Sequence, residues 1–202
     1  MEPLSSPTNL QPEYRPFALV NQVNDLLLTV SESYRIFCGK SLDQVIPAST
    51  AEIARSLAEN IERHLSQNSG FIQLDTITEI LEKSGFPLND PGGSQGLFVR
   101  LHKLDPLAPG RKPGCLMFAV IPEGHTATSH IHLNGGIDGL PGEFTVNLVG
   151  ELRYLDGSEV KTHRIEDGVR ISQADLPDRY LPQEKIWIGF YLQPENCKLL
   201  MH

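Results

Sequence analysis

From Leu97 to its end, the chain is a series of short runs rich in Val, Ile, Phe and Tyr, broken by Gly, Pro and Asp. Such runs are typical of β-strands bounded by turns. Asp156-Gly157 is a strong hairpin signal between two of them. Seven or eight antiparallel strands in about 100 residues predict a mainly β fold, a small antiparallel barrel or jelly roll. The predicted strands are residues 96–104, 115–121, 129–133, 143–155, 159–165, 169–172 and 185–193.

Helical patterns come before the strands. Residues 17 to about 33 carry apolar side chains at helical spacing. Ser49 with Glu52, and Thr76 with Glu79, have the spacing of capping boxes and predict where a second and a third helix begin. These helices would form an N-terminal layer that packs on the barrel.

The change of pattern near residue 90 predicts three regions. Residues 1–16 are rich in Pro and Ser and are expected to form a loose arm. Residues 17–91 are the helical segment, and residues 92–202 are the β-barrel. The total length suits one domain with some appended structure.

His130 and His132 are separated by one residue. On a β-strand this spacing places both imidazoles on one face, because side chains alternate with a period of two. A shared divalent metal is the usual reason for two imidazoles side by side, and the alternative is a polar pair on a solvated face. Glu143, eleven residues further on, would supply a third ligand from a neighbouring strand and leave positions open for substrate, water or dioxygen.

The frame around these residues resembles the first motif of the cupin superfamily. Gly124, five residues, His130-Ile-His132, a gap, Glu143, six residues and Gly150 follow the spacing of that family, with one exception. Cupins place three or four residues between the second histidine and the glutamate, whereas here residues 133–142 intervene. This insertion is dense in turn formers and is expected to loop out between two strands. If it does not, Gly136 takes the position of the glutamate and the site loses its carboxylate.

The second cupin motif is degenerate in this chain. In the family it ends in a proline-glycine turn that a histidine ligand follows closely. Pro177 suits the turn, but Arg179 and Tyr180 stand near the expected histidine, and no histidine lies between His163 and His202. Three outcomes stay open. The metal has three protein ligands, or Tyr180 or His125 completes the set, or the site has lost its metal.

The resemblance implies a metal-dependent enzyme that acts on a small organic substrate, such as an aromatic compound or a carboxylate. The ligand set suits Fe, Mn, Zn or Ni, with oxygenase, lyase or isomerase chemistry. Tyr180 and Arg179 are the candidate catalytic residues, and Arg153 or Arg179 would pair with a substrate carboxylate. An apolar cavity wall is expected from Phe118, Val120, Trp187 and Phe190. The alternative is a non-catalytic binding or sensing module whose metal site has decayed.

A fainter resemblance concerns the cupin-fold 4-hydroxylaminobenzoate lyases, which carry His-x-His-Pro-Asn-Gly-Glu-Ile-Asp. The chain has His130-Ile-His-Leu-Asn-Gly-Gly-Ile-Asp138, after a stretch Gly39-Lys-Ser-Leu-Asp43. Gly136 stands where that family has a glutamate. The match would imply lyase activity on a hydroxylamino-aromatic acid.

Composition limits the partners. A net charge of −8 disfavours nucleic acid, which is bound by clustered Lys and Arg. The three cysteines, Cys38, Cys115 and Cys197, are widely spaced and form neither a disulfide framework nor a zinc knuckle. No apolar run approaches the length of a membrane span, and the N-terminus lacks a signal pattern, so the expected location is cytoplasmic. A homodimer is expected because open sheet edges are commonly paired or covered.

Overall fold

The computed structural model describes residues 18–86, 97–105, 114–134, 138–193 and 197–199. The predicted arm and the predicted boundary near residue 91 lie outside these ranges. In the described part of the chain, no helix is long and apolar enough to cross a membrane.

Between residues 18 and 86, four α-helices form the N-terminal layer, at α1 (Leu19–Cys38), α2 (Leu42–Val45), α3 (Ala48–Gln67) and α4 (Leu74–Lys83). The predicted capping boxes are not used. The helix caps are Pro47 for α3 and Gln73 for α4, so Ser49 and Thr76 lie inside the helices. Proline has a fixed φ and no backbone N–H. Both suit the start of a helix, where an N–H would have no acceptor within the helix, and this explains the earlier beginning of α3.

Within the described ranges, ten strands follow the helices. The Cys115–Ile121 strand was predicted to the residue, whereas the predicted strand 143–155 is two strands separated by Gly150 and Glu151. Two short strands near the end of the chain were missed. The strands are β1 (Leu97–Lys103), β2 (Cys115–Ile121), β3 (His130–His132), β4 (Pro141–Val149), β5 (Leu152–Asp156), β6 (Glu159–His163), β7 (Arg170–Gln173), β8 (Pro177–Tyr180), β9 (Trp187–Gln193) and β10 (Cys197–Leu199).

The strands form two five-stranded sheets with antiparallel pairing. The first has the order β1-β2-β9-β4-β7, and the second has the order β10-β3-β8-β5-β6. This confirms the predicted antiparallel β fold with an N-terminal helical layer. Among the described strands no ladder joins the two sheets, so they form two layers and not a closed barrel. The predicted hairpin joins β5 to β6, with Gly157 at a positive φ of 61°.

The first sheet separates two interiors by the alternation of its side chains. Phe118, Val120 and Phe190 belong to the core that the sheet shares with the helices. The opposite face carries Ile121 and Trp187, which pack in a second, smaller cluster. The predicted cavity wall was therefore wrong for three of its four members. Side chains on one face of a strand all lie on the same side of the sheet. Phe118, Val120 and Phe190 lie on the helix side, and the residues next to them in the strand face the site.

Gly150 directly follows β4, at a point where the backbone that precedes β9 comes very close. Its φ is 74°, and a Cβ atom there would lie 2.3 Å from the carbonyl oxygen of Ile186. Only glycine meets both requirements, because a side chain is disfavoured in the left-handed region and would also collide with the backbone. The last glycine of the motif therefore allows the chain to leave β4 and enter β5 beneath the segment that leads into β9.

Candidate metal centre and adjoining cavity

The two histidines of β3 point to the same side and into the molecule. His130 is 6% exposed and His132 is 1% exposed. Their Nε2 atoms lie 3.0 Å apart. Two nitrogens that bind one metal at about 2.0–2.1 Å each are separated by a distance of this size. The alternation of the strand, which the sequence already indicated, thus brings the two imidazoles to one point.

The ring orientation of His130 is set by the backbone. Its Nδ1 lies 2.9 Å from the carbonyl oxygen of Thr128, which can only accept a hydrogen bond. The proton of the neutral ring is therefore on Nδ1, and the lone pair of Nε2 faces His132. A hydrogen bond from the second ring nitrogen to a carbonyl is the usual support of a metal-binding histidine.

Glu143 reaches the same point from the other sheet. It lies on β4, which is not a neighbour of β3. The predicted origin of the carboxylate on a neighbouring strand was therefore wrong, because Glu143 reaches across the space between the two sheets. Its Oε2 is 3.7 Å from Nε2 of His130 and 3.8 Å from Nε2 of His132. Its Oε1 accepts hydrogen bonds from the Thr145 hydroxyl at 2.8 Å and the Tyr180 hydroxyl at 2.5 Å. Gly136, the alternative occupant of the glutamate position, lies outside the described ranges. Glu143 itself lies beside both histidines.

Asp178 is a member of this cluster that sequence reasoning missed. It lies on β8, which pairs with β3 so that Asp178 is directly opposite His130. Its Oδ2 is 3.7 Å from Nε2 of His132. That oxygen is buried and has no hydrogen-bond partner among the described residues. The sequence feature that could have indicated Asp178 is its position next to Pro177, in the stretch where the degenerate second motif was expected to supply a histidine.

These side chains suit a divalent metal. Ligand atoms of His130, His132 and Asp178 all lie within 4.8 Å of one another, and all three residues are buried. A buried carboxylate oxygen without a partner costs free energy, which a bound cation would recover. With Oε2 of Glu143 beside the two imidazoles, the donors are two nitrogens and two oxygens. This mixture fits Mn, Fe, Zn or Ni, as the sequence indicated.

Arg170 balances the charge of the two carboxylates and was also missed. Its Nη2 donates to Oδ1 of Asp178 at 2.7 Å, and its Nη1 is 3.8 Å from Oε1 of Glu143. The guanidinium carbon lies 4.3 Å from the centre of the Tyr154 ring. Burial lowers the pKa of Arg170, but Tyr180, Asp178 and Glu143 outweigh it and raise that pKa. Arg170 therefore stays charged behind the cluster.

The ionisation of the cluster follows from these contacts. Burial alone raises the pKa of Glu143, but His130 and His132 outweigh it, and the pKa lies well below its usual range. Burial lowers the pKa of His130, but the hydrogen bond and charge of Glu143 outweigh it and raise that pKa. Burial, followed by the charges of Glu143 and Asp178, raises the pKa of Tyr180 well above its usual range. At neutral pH, Glu143 is a carboxylate and Tyr180 a phenol.

The other predicted site residues lie in different places. Tyr180 shares the inner face of β8 with Asp178, whereas Arg179 between them is exposed on the outer face. The Nδ1 atom of His125 donates a hydrogen bond to the carbonyl oxygen of Glu123 at 2.9 Å, and His125 lies outside the cluster. Arg153 forms an ion pair with Glu184 at 3.1 Å. Of these residues, only Tyr180 is in a position to take part in chemistry.

A cavity of about 230 Å³ adjoins the cluster. Its wall includes His130, Glu143 and Tyr180, so a molecule in the cavity would lie beside the metal-binding atoms. The rest of the wall is mainly apolar and aromatic, with the members Phe98, Ile121, Ala127, Thr128, Thr145, Leu152, Trp187 and Tyr191. A mostly apolar cavity with a few convergent polar groups is the usual form of a small-molecule site.

No protein-family model and no curated protein matches the sequence. Several solved structures are similar in fold, and the proteins include cupins. A chain from the crystal structures of DMSP lyases has 12% identity and a TM-score of 0.44, over 90% of this chain and 98% of that chain. An uncharacterised double-stranded β-helix protein from Klebsiella pneumoniae has 13% identity and a TM-score of 0.41, over 56% and 90%.

Salicylate 1,2-dioxygenase from Pseudaminobacter salicylatoxidans has 12% identity and a TM-score of 0.40. The similarity covers 61% of this chain and 35% of the dioxygenase. At these identities and scores, the comparisons assign neither an activity nor a substrate to this chain.

Proposed function

We propose that this protein is a metal-dependent enzyme that acts on a small organic substrate in the cavity beside His130. The observation that carries the proposal is the convergence of two Nε2 atoms 3.0 Å apart with Oδ2 of Asp178, which has no hydrogen-bond partner in the part of the chain that the structure describes. His130, His132, Asp178 and Glu143 would hold a divalent transition metal. Neutral imidazoles and carboxylates are the donor types that such metals take in catalytic sites.

When bound, such a metal supplies Lewis acidity that polarises an oxygen atom of the substrate. The side chains of the chain itself position and move a proton. Tyr180 lines the cavity, and its hydroxyl donates a hydrogen bond to Oε1 of Glu143. A proton that the Tyr180 oxygen takes from the substrate would be matched by transfer of its own proton to Glu143. Thr145 keeps the carboxylate in the orientation that accepts it.

This pair of groups favours proton-transfer chemistry, as in a lyase or an isomerase. A hydroxyl and a carboxylate that share a hydrogen bond at the wall of a cavity can exchange protons with a substrate. Oxygenase chemistry is the alternative reaction class for the same ligand set. The two classes differ in their need for dioxygen, so turnover under argon distinguishes them.

Metal content decides between an enzyme and a metal-free binding module. The protein is purified without chelator, and its transition metals are measured by mass spectrometry. We expect about one metal per chain, which is lost in the His130→Ala, His132→Ala double variant. His64→Ala is the matched control, because His64 lies half-buried on α3 and outside the cluster. A metal-free protein whose melting temperature does not change with added zinc, manganese or iron would support the binding module instead.

A further inference from the structure

Trp187 forms part of the cavity wall, and a hydrogen bond fixes the position of its indole ring. It is the first residue of β9 and is 2% exposed. Its indole Nε1 donates to Oδ1 of Asn147 at 2.8 Å. Because Nε1 is the only polar atom of the side chain and is already bonded, the indole presents an apolar surface to the cavity.

Asn147 is itself fixed in orientation. It is fully buried at 0% exposure, on the same face of β4 as Glu143 and Thr145. Its Nδ2 donates to the backbone carbonyl of His163 at 2.6 Å. The amide therefore has its nitrogen toward β6 and its oxygen toward the indole. A buried amide with a partner for its nitrogen and a partner for its oxygen is held in one orientation.

Gly189 leaves the space in which the indole lies. A Cβ atom at this position would be 2.5 Å from Cζ2 and 2.9 Å from Cη2 of Trp187. It would also be 2.3 Å from the carbonyl oxygen of Val146. Any larger residue would displace the ring, so Gly189 permits the same indole position that Asn147 fixes. Two independent features thus place one large apolar surface beside the candidate metal centre.

The charge of the cavity is consistent with this surface. Among the described lining residues Glu143 is the one carboxylate, and none is Lys or Arg. The nearby cation Arg170 is engaged with Asp178 and Glu143. An anionic group far from the metal would lie next to aromatic rings with no cation to receive it, which is costly.

We propose that the Trp187 indole, positioned by Asn147 and Gly189, is the surface on which the apolar body of the substrate rests. The site then takes molecules with one oxygen-donor group, directed to the cavity end that His130 and Glu143 line, and an uncharged apolar remainder of about the size of one ring. The substrate class rests on the proposed metal-dependent function. The carboxylate-bearing remainder that Arg153 or Arg179 would have received is excluded from this class.

The experiment uses hydroxamates, which bind metals through two oxygens, and the fluorescence of Trp187, the one tryptophan in the chain. Zinc-loaded protein is titrated with benzohydroxamate, acetohydroxamate and 4-carboxybenzohydroxamate. We expect benzohydroxamate to change the fluorescence saturably and to bind at least about tenfold more tightly than acetohydroxamate, because its ring is buried. The added carboxylate should weaken binding by about tenfold or more.

Two variants test the role of the positioned indole. Asn147→Leu removes the acceptor of the indole proton and should reduce the preference for benzohydroxamate to less than about threefold, with a red-shifted emission. If this variant does not fold, Trp187→Leu is titrated by calorimetry, with the same loss of preference expected. Phe71→Leu is the control, because Phe71 is 64% exposed and does not line the cavity.

The outcomes separate this inference from the proposed function. Stoichiometric zinc with equal affinities for the two smaller hydroxamates, or with an unchanged emission, overturns the inference and leaves the metal centre intact. If no metal binds, the proposed function fails, and phenol and benzoate replace the hydroxamates as probes of the cavity. Saturable quenching by phenol and not by benzoate then supports an uncharged apolar ligand, and its absence overturns it.

Discussion

Arg170 binds one oxygen of Asp178 and leaves the other free. The Nη2–Oδ1 distance is 2.7 Å, while Oδ2 lies 3.7 Å from Nε2 of His132. A carboxylate held in this way has a fixed direction for its remaining lone pairs. The ion pair therefore orients Asp178 toward the histidines before any metal binds.

Replacing Asp178 by Asn keeps the size of the side chain and removes its negative charge. We expect the affinity for manganese or zinc to fall by more than about 100-fold, the upper end of the effect of groups that only support a ligand. The measurement is competition against a fluorescent chelator. Asp175→Asn is the control, because Asp175 precedes the same strand and accepts a hydrogen bond from the Asn134 amide outside the cluster. Equal affinities of the Asp178 variant and the parent would remove Asp178 from the ligand set.

Arg170→Met tests the charge balance. Without the guanidinium, the buried carboxylates of Asp178 and Glu143 lose their nearby cation, and breaking such a pair costs about 3–5 kcal/mol. A bound divalent metal replaces part of the missing charge. The free energy of unfolding, measured in urea, should therefore fall much more in metal-free protein than in metal-loaded protein. The same loss in both forms would show that Arg170 acts only by packing.

The sequence predicted the strands that carry dense apolar runs and missed those that do not. Strand β2 was predicted to the residue because Gly114 and Pro122 bound an unbroken apolar run. In contrast, β8 reads Pro-Asp-Arg-Tyr, with no alternation of apolar side chains. Its strand conformation comes from pairing with β3 and β5, which is a long-range effect. Local patterns do not contain that information.

The candidate site divides in the same way. His130 and His132 could be paired from the sequence because the alternation of one strand is a local property. Asp178 and Arg170 could not be found, because their approach depends on the register of β8 against β3 and on how the two sheets face each other. Glu143 was proposed as the carboxylate that follows the two histidines, although the gap of ten residues is longer than in the family motif. It arrives from the facing sheet.

Tyr180→Phe removes only the hydroxyl that bonds to Glu143. If Tyr180 carries the proton, kcat should fall by about 10²–10⁴-fold, while KM and the metal content stay near those of the parent. Tyr34→Phe is the control, because the hydroxyl of Tyr34 donates to Asp105 far from the cluster. A parallel loss of metal in the Tyr180 variant would instead assign Tyr180 a role in holding the site together.

Gly150→Ala should destabilise the fold more than the same change at Gly124. Both residues have nearly the same φ, 74° and 75°, so the cost of a left-handed alanine, about 1–2 kcal/mol, is shared. At Gly150 the added carbon also meets the Ile186 carbonyl at 2.3 Å, whereas nothing lies within 4 Å of the position at Gly124. We expect an extra loss of roughly 1–3 kcal/mol at Gly150 in urea unfolding. Equal losses would mean that the backbone near Ile186 yields readily.

The stability of metal-free protein should have its maximum in mildly acidic solution. The pKa of His130 is raised above its ordinary value of 6.5. Its contribution is therefore fully present below that value and is lost as the pH rises through the higher pKa of the folded state. The pKa of Glu143 is lowered below 4.5, so its contribution is present above that value and is lost as the pH falls through the folded pKa.

Metal binding should show the opposite trend above the maximum. A bound metal needs a neutral His130, so the stabilisation by added zinc should increase between about pH 6 and 8, while the metal-free protein loses stability. Urea unfolding at a series of pH values, with and without zinc, measures both. His130→Gln should flatten the alkaline side of the metal-free profile, and His64→Gln should leave it unchanged. A metal-free profile with the same alkaline slope in His130→Gln would show that another group causes the loss.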